Sequence, residues 1–127
     1  MPNAVLLVDD NEIQASTRKA ILTRAGNHVT VGTSAASALL ALERPDFLKS
    51  LGLVISDHLM PGMNGPEFIR ALRALSIDLP VLIISGLEEA ETEYEGLDVY
   101  FRMKPFAPDQ LIALVHSLLN QPIARTA

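Results

Sequence analysis

Five polar side chains each close an apolar run: Asp9 and Asp10 end AVLLV, Asp57 follows LGLVIS, Ser85 follows PVLII, and Lys104 follows VYFRM. In an open parallel α/β sheet the carboxyl ends of the strands converge on one crevice, so these residues are predicted to meet although they are far apart in the chain. Three crowded carboxylates beside one ammonium repel each other and favour a divalent cation such as Mg2+, which takes oxygen ligands and keeps several waters. A metal held by Asp9, Asp10 and Asp57 leaves an edge open for phosphate oxygens. An aspartate can itself be the nucleophile and accept a phosphoryl group as a mixed anhydride. Lys104 would then supply a cation and Ser85 a hydrogen bond to the transferred group. The plainer reading is that strand-end Asp and Lys cap loops or pair with one another, but five such positions together favour a site.

The elements that must position these residues alternate along the chain. Ala4 to Val8 reads as a buried strand, followed by a helix with Ile13, Thr17, Ala20, Ile21 and Ala25 on one face and Gly26 at its C′ stop. His28 to Thr33 reads as a second strand, and Ser34 caps a helix through Glu43 that Pro45 ends. Leu51 to Ser56 is the third strand, 57 to 65 a loop in which Gly65 is the expected N-cap, and Pro66 opens a helix carrying Phe68, Ile69, Leu72 and Leu75. Pro80 opens the fourth strand. Residues 86 to 96 read as a short acidic helix or an irregular segment, Val99 to Met103 as the fifth strand, and Pro108 to Asn120 as a helix with Leu111, Ile112, Leu114, Val115, Leu118 and Leu119 inside. Five β-α units in this order predict a parallel sheet covered on both faces.

A chain of 127 residues with 49% hydrophobic and 20% charged content suits one domain with a packed core. The expected organisation is one domain over 1–120 with a frayed tail, 121–127. A net charge of −5 and the absence of a basic stripe argue against direct nucleic-acid binding. The apolar runs are strand-sized and no basic leader precedes them, so a cytoplasmic protein with no membrane contact is expected. Without cysteines, thiolate and Cys-zinc chemistry is excluded.

The motifs resemble the receiver domain of bacterial two-component response regulators over residues 3 to 120. Asp9-Asp10 resembles that family's acidic pair, Asp57-His-Leu-Met60-Pro61-Gly-Met-Asn-Gly65 its phosphoacceptor loop, Ser85-Gly86 its Ser/Thr-plus-small step, and Lys104-Pro105-Phe106 its Lys-Pro-Phe signature. The resemblance implies a flavodoxin-like (βα)5 fold with strand order 2-1-3-4-5. It implies that Asp57 accepts a phosphoryl group from a histidine kinase or a histidine phosphotransfer protein. Asp10, Asp57 and the Leu59 backbone carbonyl would ligate Mg2+ (or Mn2+), with Asp9 helping through water. It also implies a signalling switch, with self-catalysed transfer and autodephosphorylation, in which Ser85 and the aromatic Phe101 move towards the phosphoryl group. Output would pass to a downstream protein target, from a monomer or a phosphorylation-dependent dimer.

Several features depart from the family's pattern. Only eighteen residues separate Ser85 from Lys104, fewer than the family usually has, and among them are Glu88, Glu89, Glu91, Glu93, Glu95 and Asp98. This charge run reads as a solvated face. Leu59 and Leu87 stand where polar residues are common and would shield an acyl phosphate from water. Ala107 is a weak N-cap. His58, His28 and His116 read as ordinary residues. The other readings are a receiver excised from a hybrid kinase or a transcriptional regulator, a phosphorylation-independent binding module, and a small aspartyl-phosphate hydrolase. Leu59 weighs against the last, because such enzymes place a second acid there.

Overall fold

The computed structural model describes residues 3–75, 77–105 and 107–120. Strands β1 (Ala4–Val8), β2 (Val29–Gly32), β3 (Leu51–Asp57), β4 (Val81–Ser85) and β5 (Tyr100–Met103) form a parallel sheet in the order β2-β1-β3-β4-β5. The connections are α1 (Glu12–Arg24), α2 (Ala35–Leu42), α3 (Pro45–Ser50), α4 (Gly65–Ala74) and the 3-10 segment η1 (Glu88–Tyr94), with α5 (Pro108–Asn120) closing the chain. This is the expected flavodoxin-like architecture. Both sheet faces are buried, as a parallel sheet requires.

Side chains alternate between two core layers, following the two-residue period of a strand. Leu6, Val54, Ile83 and Phe101 pack on one face with Ala38, Phe68, Leu72 and Tyr94. Val5, Leu7, Ile55, Leu82, Ile84 and Tyr100 pack on the other with Leu22, Leu111, Val115 and Leu118. Tyr100 and Phe101 therefore lie on opposite faces, as their adjacency in a strand dictates.

The first helix turns a different face inward from the one its apolar spacing suggests. Ile13 is 80% exposed, whereas Ala15 and Leu22 are buried. Arg18 sits in the same row, three residues after Ala15 and four before Leu22, so the inward face carries a cation at its centre. The apolar residues of α1 are too few and too scattered to fix its orientation, and the ionic contact of Arg18 with Asp9 takes part in setting it.

Capping explains the other boundaries. Ser34 and Ser37 form a reciprocal capping box at α2, which ends at Leu42. Pro45 does more than end that helix: its fixed φ and missing N–H suit a first helical turn, and it starts α3, an element the five-unit reading omits. At α4 the N-cap is Asn64 and not Gly65. Asn64 Oδ1 accepts from the Glu67 N–H at 3.0 Å, and Glu67 Oε1 accepts from the Asn64 N–H at 3.0 Å. Gly65 is the first residue of the helix, and a Cβ there would collide with the Tyr94 hydroxyl. Gly26, at φ 98°, takes the left-handed C′ position after α1. The acidic segment is 3-10 in form, anchored by buried Ala90 and Tyr94. In α5 only Leu111, Val115 and Leu118 are fully buried; Ile112, Leu114 and Leu119 are partly so. The Ala107 N–H donates to Gln110 Oε1 at 2.9 Å, which makes up for the missing cap side chain. The tail 121–127 and Phe106 lie outside the described residues.

At the amino end of the sheet, Arg73 ties α4 to the segments leading into β4 and β5. Its guanidinium donates to the carbonyls of Leu97 (3.0 Å), Ile77 (2.9 Å), Leu79 (2.8 Å) and Asp98 (2.9 Å).

Candidate functional site

Strand register places the polar residues. Val8 pairs with Ser56, Asp57 with Ile84, and Ser85 with Met103, so Asp9, Asp57, Ser85 and Lys104 emerge side by side at the carboxyl edge. Backbone bonds continue the alignment past the strands: the Asp9 N–H donates to Gly32 O at 3.1 Å, His58 N–H to Ile84 O at 3.2 Å, and Lys104 N–H to Ser85 O at 2.7 Å. The Asn11 side chain caps α1 by accepting from the Gln14 N–H at 3.0 Å. That sets the positive end of the helix beside Asp9 and Asp10.

Asp10, Asp57, Leu59, Ser85 and Lys104 line a cleft of about 240 Å³, and Asp9 is buried behind them. One carboxylate oxygen from each of Asp9, Asp10 and Asp57 lies within 4.8 Å of the others. Lys104 Nζ approaches Asp57 Oδ1 to 2.7 Å and donates to Gln14 Oε1 at 3.3 Å. Asp57 Oδ1 is buried, and its close partner is the Lys104 ammonium, an ion pair. Three carboxylates grouped this closely, one of them with a buried oxygen, fit a hard cation that wants oxygen ligands. Asp9, Asp10 and Asp57 would hold it, and Leu59 lines the same cleft.

Asp9 is fully buried, and burial is the main reason its pKa rises to about 6; the Asn11 N–H opposes that shift and the charge of Asp57 adds to it. Both Asp9 oxygens have partners. Oδ1 accepts from the Asn11 N–H at 2.9 Å and Oδ2 from Arg18 Nη1 at 3.0 Å. Arg18 Nη1 is also 4.0 Å from Asp57 Oδ1. The acidic pocket thus holds two cations, Lys104 and Arg18, of which the strand-end pattern in the sequence reveals only the first.

The Ser85 hydroxyl is engaged locally. It accepts from the Leu87 N–H at 2.9 Å and donates to Leu87 O at 3.3 Å, so it must rotate to reach a group on Asp57. Phe101 is buried, with its ring 6.1 Å from that of Tyr94. Leu59 is 65% and Leu87 41% exposed, apolar surface beside the cleft.

His58, unremarkable in the sequence, is buried, with a polar neighbour at each ring nitrogen. Nδ1 shares a 2.7 Å hydrogen bond with the Tyr94 hydroxyl, in a direction set by the imidazole tautomer, and Nε2 lies 3.4 Å from Glu93 Oε2. Burial pushes the Tyr94 phenol well up from its ordinary value, so it stays protonated. His58, Tyr94 and Phe101 link the Asp57 loop to the acidic segment and β5. The sequence signal is a lone Tyr among glutamates, four residues after Ala90, which marks the one face of that segment able to enter a core.

Fold and site together define a doubly wound α/β domain with an acidic, metal-fitting pocket around one central aspartate. Residues 5–116 match the family described as response regulator receiver domain. The chain belongs to the response regulator receiver family. It is 31% identical over 126 residues to the response regulator MprA of Mycolicibacterium vanbaalenii, covering 95% of this chain and 52% of that protein. It is 31% identical over 120 residues to the transcriptional regulatory protein FixJ of Bradyrhizobium diazoefficiens, covering 92% and 57%. The chain thus spans about half the length of these relatives. A structure of the chemotaxis protein CheY4 of Vibrio cholerae superposes with a TM-score of 0.82 at 27% identity, covering 94% of this chain and 100% of that one. Receiver domains generally bind Mg2+ at the acidic cluster and interact with histidine kinases and downstream effectors. No helix among the described residues is long and apolar enough to cross a membrane.

Proposed function

We propose that Asp57 is the phosphoacceptor of this receiver, taking a phosphoryl group from a phosphohistidine with Mg2+ or Mn2+ held by Asp9, Asp10, Asp57 and the Leu59 carbonyl. The observation that carries the reading is the grouping of the Asp9, Asp10 and Asp57 carboxylates within 4.8 Å of one another, with the Lys104 ammonium 2.7 Å from Asp57 Oδ1. A carboxylate oxygen of Asp57 would attack phosphorus, and the lysine is placed to meet the charge that arrives. The metal supplies charge neutralisation between the carboxylates and the incoming phosphoryl oxygens.

Lys104 keeps contact with the modified aspartate, and Ser85 exchanges its Leu87 contacts for a phosphoryl oxygen. The backbone at Leu87 loses those bonds, and η1 and Phe101 adjust with it. Output then runs through η1, β5 and α5, which adjoin Ser85, Phe101 and Lys104. The source is a histidine kinase or phosphotransfer protein, and the receiver of the signal is a downstream protein and not nucleic acid directly. The test is intact-mass measurement after incubation with acetyl phosphate. One added phosphoryl group is expected on the wild type, and none on Asp57→Asn or after chelation with EDTA. Equal labelling of all three would refute the assignment.

A further inference from the structure

The acidic pocket carries a cation that the phosphoacceptor reading does not use. Arg18 Nη1 lies 3.0 Å from Asp9 Oδ2 and 4.0 Å from Asp57 Oδ1, so one nitrogen sits between two of the three carboxylates that form the metal group. The other Asp9 oxygen is taken by the Asn11 N–H. Any cation that draws on Asp9, directly or through a water, must therefore do so against Arg18. Like charges in one small pocket repel, and Mg2+ demands a nearly ideal octahedral set of oxygens, which a guanidinium holding one of them disturbs.

There is also somewhere for the guanidinium to go. Arg18 lines a second cavity, of about 330 Å³, between α1 and the start of α5, together with Ile13, Thr17, Ile21 and Leu111. That cavity adjoins the site through Gln14 and Lys104, which line both. The aliphatic stem of an arginine packs well against such walls while its head stays at the polar edge.

We propose that Arg18 is a built-in competitor for the metal: it fills the electrostatic place of the cation between Asp9 and Asp57, and Mg2+ binds fully only as Arg18 lets go of Asp9. The inference rests on the metal reading above and adds to it a residue that sets how much Mg2+ the receiver needs before it can be phosphorylated. The residue acts through the carboxylates and is a positioning residue, not a catalytic one.

The test is calorimetric titration of the unphosphorylated chain with MgCl2, in the wild type, Arg18→Leu, Arg18→Met and Arg18→Lys. Leucine and methionine suit the row between Ala15 and Leu22 and remove the charge, so each is expected to tighten Mg2+ binding by about tenfold, near 1.4 kcal/mol. Lysine keeps the charge and is expected to stay within about threefold of the wild type. Equal or weaker Mg2+ binding by the leucine and methionine variants would overturn the inference and leave the metal reading intact. No Mg2+ binding in any protein, by heat or by a shift of the Asp10 and Asp57 amide resonances, would overturn both. Should the apolar variants not fold, the side-chain NMR resonances of Arg18 in the wild type answer the same question. They are expected to shift with the Mg2+ midpoint, and resonances that stay put through saturation would overturn the inference.

Discussion

Two arginines at opposite ends of the sheet show how the same side chain serves two purposes. Arg73, at the amino end, gives its donors to four backbone carbonyls, of Ile77, Leu79, Leu97 and Asp98. These carbonyls carry no net charge, and the acidic group lies at the other end of the sheet, so that guanidinium is a staple. Arg18, at the carboxyl end, is held by carboxylates of the group that could hold a metal ion. On the proposal above, its bond is exchangeable. The amino end is built to stay and the carboxyl end to change partners, and buried polar groups gather accordingly: Asp9, Ser56, Asp57, His58 and Ser85 all lie towards the carboxyl end.

Removing the staple is expected to have the largest effect on stability. Arg73→Ala strips donors from several carbonyls at once and should cost about 3 kcal/mol, since hydrogen bonds to a charged group are worth roughly 1.5–3 kcal/mol each and part of the loss is regained from water. Urea unfolding of wild type and variant measures it. The Mg2+ affinity of the folded variant should be unchanged, and a loss of both together would erase the distinction between the two ends.

A smaller effect is expected where the changing end meets the core. Gly65→Ala drives a methyl group into the Tyr94 hydroxyl and should cost about 1–3 kcal/mol by overpacking. Tyr94→Phe removes the His58 partner but keeps the ring, at about 1–2 kcal/mol. If the His58–Tyr94 contact couples the site to the acidic segment, Tyr94→Phe should also reduce the phosphorylation-dependent shifts of residues 88–94. Unaltered shifts would make the contact packing alone.

The smallest effect is on the pH dependence of the metal-free protein. The folded-state pKa of Asp9, about 6, lies above its ordinary value of 3.8, so the folded form binds the proton more tightly than the unfolded chain does. The stabilising contribution of protonation grows as pH falls from neutral through 6 and is lost as pH rises through it. In EDTA the wild type should therefore gain more thermal stability than Asp9→Asn does on going from about pH 7.5 to about 5.5. A wild type that loses stability relative to Asp9→Asn over that range would show that Arg18 holds the carboxylate ionised.

Much of the fold and of the site is legible in the sequence for definite physical reasons. Strand ends are marked by the abrupt change from AVLLV to Asp9 and from PVLII to Ser85, and parallel pairing then leaves little freedom in where those residues go. What the sequence hides are residues whose role depends on orientation. An arginine on a weakly amphipathic helix reads as surface, and only the inward turn of Ala15 and Leu22 reveals Arg18. His58 and Tyr94 are thirty-six positions apart, and no periodicity connects them. Pro45 reads as a stop because its effect on the preceding helix is local, whereas its fitness to start α3 depends on residues 46 to 50 continuing the turn.

The two-ended account is tested most directly by the amide and arginine side-chain NMR spectrum of the full chain, with and without Mg2+ and beryllofluoride, a mimic of the phosphoryl group proposed for Asp57. The account predicts large shifts at Asp57, Ser85, Leu87, Phe101 and the Arg18 side chain, with the Arg73 side chain and residues 77–79 unmoved. Shifts of equal size at Arg73, or a spectrum unchanged at Arg18 and Ser85, would contradict it.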